Sequence, residues 1–282
     1  MAEHVLTWRK NLPPPGSGDA SLHLIDMPRG MSRPKQQILA AEALDDAARG
    51  VLLEAVAALR VQAVAGAAAA PIRIALKSLA PRQREVVEDL LGEGEVRAQV
   101  GGAALWSICE SVLAGLWRIQ LRTADGEIVP WLEVGAIPTP VLHAAERLPQ
   151  ASVAVPQQLP PGAMNASALI AELVARSAAW KPGQENHVIN FTLLPITDVD
   201  SEILTAAIGQ IPLVIHSEGY GSCRIYATGL RHVWAVQYLN SMGKVILDTL
   251  EVGDVPVSAR AAAEDFVDSA QRLTEMLEAY AP

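Results

Sequence analysis

The sequence predicts an α+β fold built from two tandem copies of one unit, each a helix packed on a small, mainly antiparallel sheet. Three observations carry this reading. Gly92, Gly102, Trp117, Gln120 and Gly126 map onto Gly209, Gly219, Trp234, Gln237 and Gly243 at one constant offset. After one extra residue, Glu133-Val134-Gly135 maps onto Glu251-Val252-Gly253, and Pro138 onto Pro256. Around these markers the apolar period changes in the same order in both halves, from the three-to-four spacing of a helix to the alternation of a strand. The period is far longer than that of a solenoid, so the repeat describes a pair of domains.

The opening segment, 1–34, is rich in Pro, Gly and Ser and reads as an extended arm. The first unit spans 35–138. Ile38, Leu39, Leu44, Val51, Leu52, Ala55, Leu59 and Ala63 give a helical stripe on an alanine-rich background, with Gly50 marking a break. Ile72, Ile74 and Leu76 then alternate with Arg73, Ala75 and Lys77 as in a half-buried strand. Pro81 opens a helix that Gly92 stops. Strands are expected through Val96 to Val100, Leu113 to Thr123 and Ile128 to Val134, the last two joined by a turn at Asp125-Gly126.

Residues 139–164 carry Pro140, Pro149, Pro156, Pro160 and Pro161. Proline at this density disfavours helices and central strands, so the segment reads as a linker holding the domain boundary. The second unit spans 165–282. It repeats the order: a helix over Ser167 to Ala179, a strand around Ile189, and a helix from Thr197 to Gly209 with Asp198 and Asp200 in its first turn, where the helix dipole favours negative charge. Strands follow at Leu213 to Ser217, Cys223 to Thr228, Val233 to Asn240 and Val245 to Val252. A last helix runs from about Val257 to Tyr280, with Phe266, Ala270, Leu273 and Leu277 on one seam.

Composition narrows the function. Hydrophobic residues make up 50% and charged residues 19%, which suits a folded chain with a real core. A net charge of -9 argues against a general nucleic-acid binder, which needs a cationic surface to displace counterions. The first residues lack the apolar core of a signal peptide, and no apolar run reaches the roughly 20 residues that span a bilayer. A cytoplasmic protein without stable membrane insertion is the expectation. Two cysteines, Cys109 and Cys223, are too few for a disulfide framework and fit reduced thiols.

Several segments together resemble a known family. Gly92-Glu93-Gly94-Glu95-Val96 leads into Glu110-Ser111-Val112-Leu113-Ala114-Gly115-Leu116-Trp117-Arg118; the second copy holds Gly219-Tyr220-Gly221-Ser222-Cys223-Arg224-Ile225 and Val233-Trp234-Ala235-Val236-Gln237-Tyr238. Leu247-Asp248-Thr249-Leu250-Glu251-Val252 and Glu264-Asp265-Phe266-Val267-Asp268-Ser269 follow. This run is similar to the HupH/HyaF/HoxQ-type hydrogenase expression/formation proteins, over about Pro34 to Tyr280 and most specifically from Gly219 to Leu273. The family's loop commonly has Asn where this chain has Ser222. The resemblance implies a non-enzymatic accessory role, with no cofactor, in maturation of an uptake [NiFe] hydrogenase. It implies action on the iron–sulfur small subunit precursor before export, beside a thioredoxin-like accessory chaperone.

The residues also bear on chemistry directly. There is no Walker loop. Gly92-Glu93-Gly94 begins like a dinucleotide motif, yet it follows a helix, lacks the third glycine and sets two carboxylates where phosphate would lie. A small thiol- or metal-dependent enzyme centred on Cys223 is the alternative. It needs His216 or His232 to converge on the thiol. Arg224 could lower the pKa of Cys223, or only pair with Glu218. The candidate partner-binding segment is Gly219, Tyr220, Gly221, Ser222, Cys223 and Arg224, an apparent turn between glycines. The matched stretch of the first copy, Gly102-Ala103-Ala104-Leu105, is bland. Tyr and Arg are residue types that dominate binding energy when displayed on such a turn. Trp117 and Trp234 read as core; Trp106, Trp131 and Trp180 would be interface anchors if exposed.

Overall fold

The computed structural model describes residues 44–66, 68–102, 105–194, 196–218 and 221–280. The expected arm 1–34, and Ile38 and Leu39 of the first helical stripe, lie outside them. The first half holds α1 (Asp46–Ala65), β1 (Ile72–Ala75), α2 (Pro81–Leu91), β2 (Val96–Val100), β3 (Leu105–Glu110), β4 (Leu116–Arg122), β5 (Ile128–Val134) and α3 (Thr139–Arg147). The second holds α4 (Ala166–Ala179), β6 (His187–Asn190), α5 (Asp198–Ile208), β7 (Gln210–Ser217), β8 (Ser222–Thr228), β9 (Val233–Leu239), β10 (Val245–Val252), a 3-10 turn (Val257–Ala259) and α6 (Ala263–Ala279). Trp117 and Trp234 are the second residues of β4 and β9, so the repeat holds element by element.

Local chemistry explains most boundaries. The Asp45 side chain caps α1 by accepting from the Ala48 amide at 2.9 Å, and Gly66 closes it with φ +84°. Gly50 does not break α1: the packed face formed by Ala48, Val51, Leu52, Ala55 and Leu59 carries the helix through it. Leu113 to Gly115 forms a turn, and the strand expected from Leu113 begins at Leu116. Thr139–Arg147 is a helix where the proline content predicted a linker. Pro140 falls in its first turn, where a missing N–H costs nothing, and the Thr139 amide is satisfied by Glu133 Oε2 at 2.7 Å.

Among the described residues, ten strands form one antiparallel sheet in the order β1-β5-β4-β3-β2-β7-β8-β9-β10-β6. Each half supplies five neighbours, in mirrored order. The halves join where β2 pairs with β7, and Ala98 faces Ile215, its own counterpart in the other copy. A pseudo-twofold axis therefore passes between these two residues. Two small sheets were expected; their merging covers the β2 and β7 edges, which would otherwise be bare templates for pairing.

One face of the sheet carries two helical layers. Over the first half, α1, α2 and α6 bury Leu52, Leu59, Val87, Leu91 and Phe266 against Leu116 and Leu132. Over the second, α4 and α5 bury Ile170, Leu173, Leu204 and Ile208 against Ala235 and Leu250. The other face has a core with Trp117, Trp131 and Trp234, capped by α3 and the 3-10 turn.

The halves also exchange their C-terminal segments. Helix α6, from the second copy, lies on α1 of the first. Its Phe266 is fully buried beside Gly115, and Ser269 Oγ donates to the Ala114 carbonyl at 2.9 Å. In return, the stretch after α3 crosses to the second copy. The Gln150 amide donates to the Gly229 carbonyl at 2.7 Å, the Arg231 amide donates to the Gln150 carbonyl at 2.8 Å, and Val153 and Val155 join the second core.

Asp200 shows how tightly α4 and α5 are tied. The carboxylate is fully buried. Its Oδ1 accepts from the amides of Met164, Asn165 and Ala166 at 2.8–2.9 Å, and its Oδ2 from Thr197. Burial works to raise its pKa; the amide donors outweigh burial and hold it at about 2. A depressed folded pKa contributes stability above the ordinary carboxylate value, lost as pH falls through about 2. Asp200→Asn is expected to lower stability by roughly 2 kcal/mol at pH 7. In urea denaturation the gap to wild type should close as pH drops from about 4 to 2.

Candidate functional site

Of the segment Gly219–Arg224, the described residues Gly221–Arg224 lead into β8, which pairs antiparallel with β7. Gly219 and Tyr220 lie outside the described residues. Gly221, exposed with φ +107°, takes a backbone angle that only glycine adopts freely. Ser222 is exposed at the first position of β8. From there alternation separates the two remaining candidates. Cys223 points into the tryptophan-containing core and is 3% exposed, with Sγ 3.6 Å from Ser258 Oγ. Arg224 is on the opposite, helix-bearing face, half-buried, with His216 and Gln237 as its cross-strand neighbours.

This register keeps the thiol away from both histidines. Cys223 pairs with Ser217, so His216 shares the face of Arg224, not that of Cys223. His232 lies just before β9, six residues from Tyr238, the partner of Cys223. At about 3.3 Å per residue that is roughly 20 Å. His232 stacks on Trp180 with centroids 4.3 Å apart. It has φ +59°, in the place where the first copy has Gly115 with φ +80°. Burial pushes the Cys223 thiol up to about 11, with the Ser258 hydroxyl only partly offsetting it. The thiol is therefore protonated near neutral pH, and Arg224 does not activate it. Glu218 forms no ion pair with Arg224 among the described residues. No cluster of three or more His, Cys, Asp or Glu suited to a metal occurs among the described residues.

The tryptophans divide differently from the simple expectation. Trp117 and Trp234 are core, 1% and 3% exposed. Trp131 is also buried, under the Arg73 guanidinium at 4.0 Å and edge-on to Trp106 at 5.5 Å. Its indole N–H donates to Glu133 Oε1 at 2.8 Å. Trp131 is thus no exposed anchor, while Trp106 and Trp180 remain half-buried. Sequence reasoning missed Glu110. This carboxyl is 6% exposed and accepts from the Gly115 amide at 2.9 Å. Burial pushes it up to about 7, with the carboxylates of Asp265 and Glu95 adding to the rise. A lone Glu at a strand end gives no sequence signal of this.

The fold and hairpin define a duplicated sheet scaffold that, among the described residues, does not gather the thiol and imidazole groups the sequence offers. The chain belongs to the HupH hydrogenase expression protein family. The family's C-terminal conserved region matches it twice, over residues 46–159 and 163–280, one match per repeat. Hydrogenase expression/formation protein HupH of Rhodobacter capsulatus is 39% identical across 95% of this chain and 98% of its own. HupH of Rhizobium leguminosarum bv. viciae is 42% identical over 70% of each chain. Hydrogenase-1 operon protein HyaF of Escherichia coli (strain K12) is 36% identical over 73% of this chain and 72% of its own. The solved structure of hydrogenase expression protein HupH from Thiobacillus denitrificans ATCC 25259 is 23% identical, with a TM-score of 0.38 across 41% of this chain and 96% of that one. No described helix is long and apolar enough to cross a membrane.

Proposed function

We propose that this protein is a non-catalytic assembly factor for an uptake [NiFe] hydrogenase, holding the iron–sulfur small subunit precursor in the cytoplasm before export. The observation that carries the reading is the match of both halves to a family whose relatives are named hydrogenase expression/formation proteins. The dispersal of Cys223, His216 and His232 is in keeping with a binding role. The segment Gly219 to Arg224 contacts the precursor, and a thioredoxin-like accessory chaperone works on the same precursor. The test is affinity capture of the tagged full chain from cells expressing the hydrogenase operon, paired with a clean deletion. Small subunit precursor in the captured fraction, and lowered hydrogenase activity with normal small-subunit synthesis in the deletion, are expected. Normal activity in the deletion at every oxygen level would overturn the proposal.

A further inference from the structure

Helix α1 is apolar on two opposite sides. Ala48, Leu52, Ala55 and Leu59 are buried in the first core. On the other side Gly50, Leu53, Ala57, Val61 and Val64 follow one another at spacings of three or four, and all five are exposed. Leu53, Val61 and Val64 are each more than half exposed. A helix that is hydrophobic all round is normally a covered one. No described segment covers this side. Helix α6 lies only along its flank, where Arg49 donates to the Tyr280 carbonyl at 2.6 Å and Arg60 to the Thr274 hydroxyl at 3.4 Å.

The second copy shows what the fold itself asks of this helix. At one constant offset the buried residues Ala48, Leu52, Ala55 and Leu59 become Ala166, Ile170, Leu173 and Ser177 of α4, also buried. At the same offset the outer residues Gly50, Leu53, Ala57 and Val61 become Ala168, Ala171, Ala175 and Ala179, also exposed. Alanine is therefore enough on this side. Only α1 carries large aliphatics there, with Val64 in an added turn. The two helices also differ in what precedes them. The stretch before α4 is engaged within the second copy: Val153 and Val155 pack on its core, and the Ser167 hydroxyl donates to the Pro156 carbonyl at 2.6 Å. Before α1 stand residues 1–43, outside the described residues. They join the helix at its head, where Leu44 is buried in the first core and Asp45 is the cap.

Reach and charge select the part of that segment which fits. From Leu44 to Val64 the helix spans about 30 Å at 1.5 Å per residue. An extended chain crosses this distance in about ten residues and a helical one in about twenty. In either conformation, the residues able to lie along the stripe fall within 24–43. They include Leu24, Ile25, Met27, Met31, Ile38 and Leu39. Between Asp26 and Glu42 the charged residues are Arg29, Arg33 and Lys35, all cationic. The groove between α1 and α6, which meets the stripe at Val64, is lined by Glu275 and Glu278. We propose that residues 24–43 of this same chain cover the outer side of α1, with their apolar side chains on Leu53, Val61 and Val64 and their cations toward Glu275 and Glu278. A tethered segment acts at an effective concentration on the order of millimolar, far above that of a second copy in a micromolar solution. The inference stands apart from the assembly-factor reading.

The experiment uses the full chain and two readouts. Trypsin cleavage after Arg29 and Lys35 follows the fraction of time the cover is off. Leu53→Asp with Val64→Asp should speed it by more than about fivefold. Ala171→Asp with Ala175→Asp, at the image positions on α4, should change it by less than about twofold. Both pairs are exposed, so the cores are untouched, and thermal melting checks this. In the second readout p-benzoylphenylalanine replaces Val64 and is photolysed in dilute solution. Cross-links within one chain, into residues 24–43, are expected. Equal cleavage rates in the wild type and both double variants would overturn the proposal. So would cross-links between two chains, which would make the cover a second copy, or cross-links that miss residues 24–43.

Discussion

Phe266→Ala is expected to destabilise the protein by about 3–5 kcal/mol, the range for emptying a fully buried aromatic site. The ring is 0% exposed and sits in a notch that exists because residue 115 is glycine. A Cβ at Gly115 would lie 2.4 Å from Phe266 Cε1, and φ there is +80°. The notch is thus shaped for that ring and cannot collapse cheaply. Location makes the result diagnostic. Phe266 belongs to the second repeat, yet it packs in the core of the first, with Leu113, Leu116 and α1. Hydrogen exchange should therefore show lost protection in α1, more than two hundred residues away in sequence. Loss confined to the second half would contradict the exchange of C-terminal segments.

Glu110→Gln should stabilise the protein at pH 8 by about 3 kcal/mol and leave it nearly unchanged at pH 4. The sign follows from the raised pKa. Below about 4.5 the carboxyl is protonated in both folded and unfolded chains, so it contributes no difference. Between that value and about 7 the folded chain holds the proton and the unfolded chain releases it, so stability falls as pH rises. Above about 7 the folded protein carries a buried charge at full cost. Glutamine keeps an oxygen for the Gly115 amide and removes the ionisation. Urea denaturation at several pH values should show wild type losing stability across that window and the variant losing much less. Parallel slopes for the two proteins would refute the buried ionisation.

The repeat was legible because glycines and tryptophans do structural work that few other residues can do, so their offsets survive where other positions drift. Gly92 and Gly209 both close a helix with φ +59°, and Trp117 and Trp234 both anchor the core of one face. Strand β3 was missed although its signal was present: Trp106 and Ile108 alternate with Ser107 and Cys109. Tertiary address was not legible. The alternation of Val96, Ala98 and Val100 shows a half-buried strand, but not that its free edge pairs with β7. The seam of α6 was plain in Phe266, Ala270, Leu273 and Leu277; nothing in the seam says that it packs on α1. In the sequence Cys223 and Arg224 fall in one candidate segment; the strand places them on opposite faces. That His216 goes with Arg224 required the register of β7 against β8.

Ala98 facing Ile215 across the axis has a genetic consequence. In a symmetric pair of identical chains, one codon sets two sites, and a change near the axis meets its own image. Joined in a single reading frame, the two sites mutate independently. The axis pair can then be a small residue against a large one. Heterogeneity of this kind is heritable because each copy has its own codons.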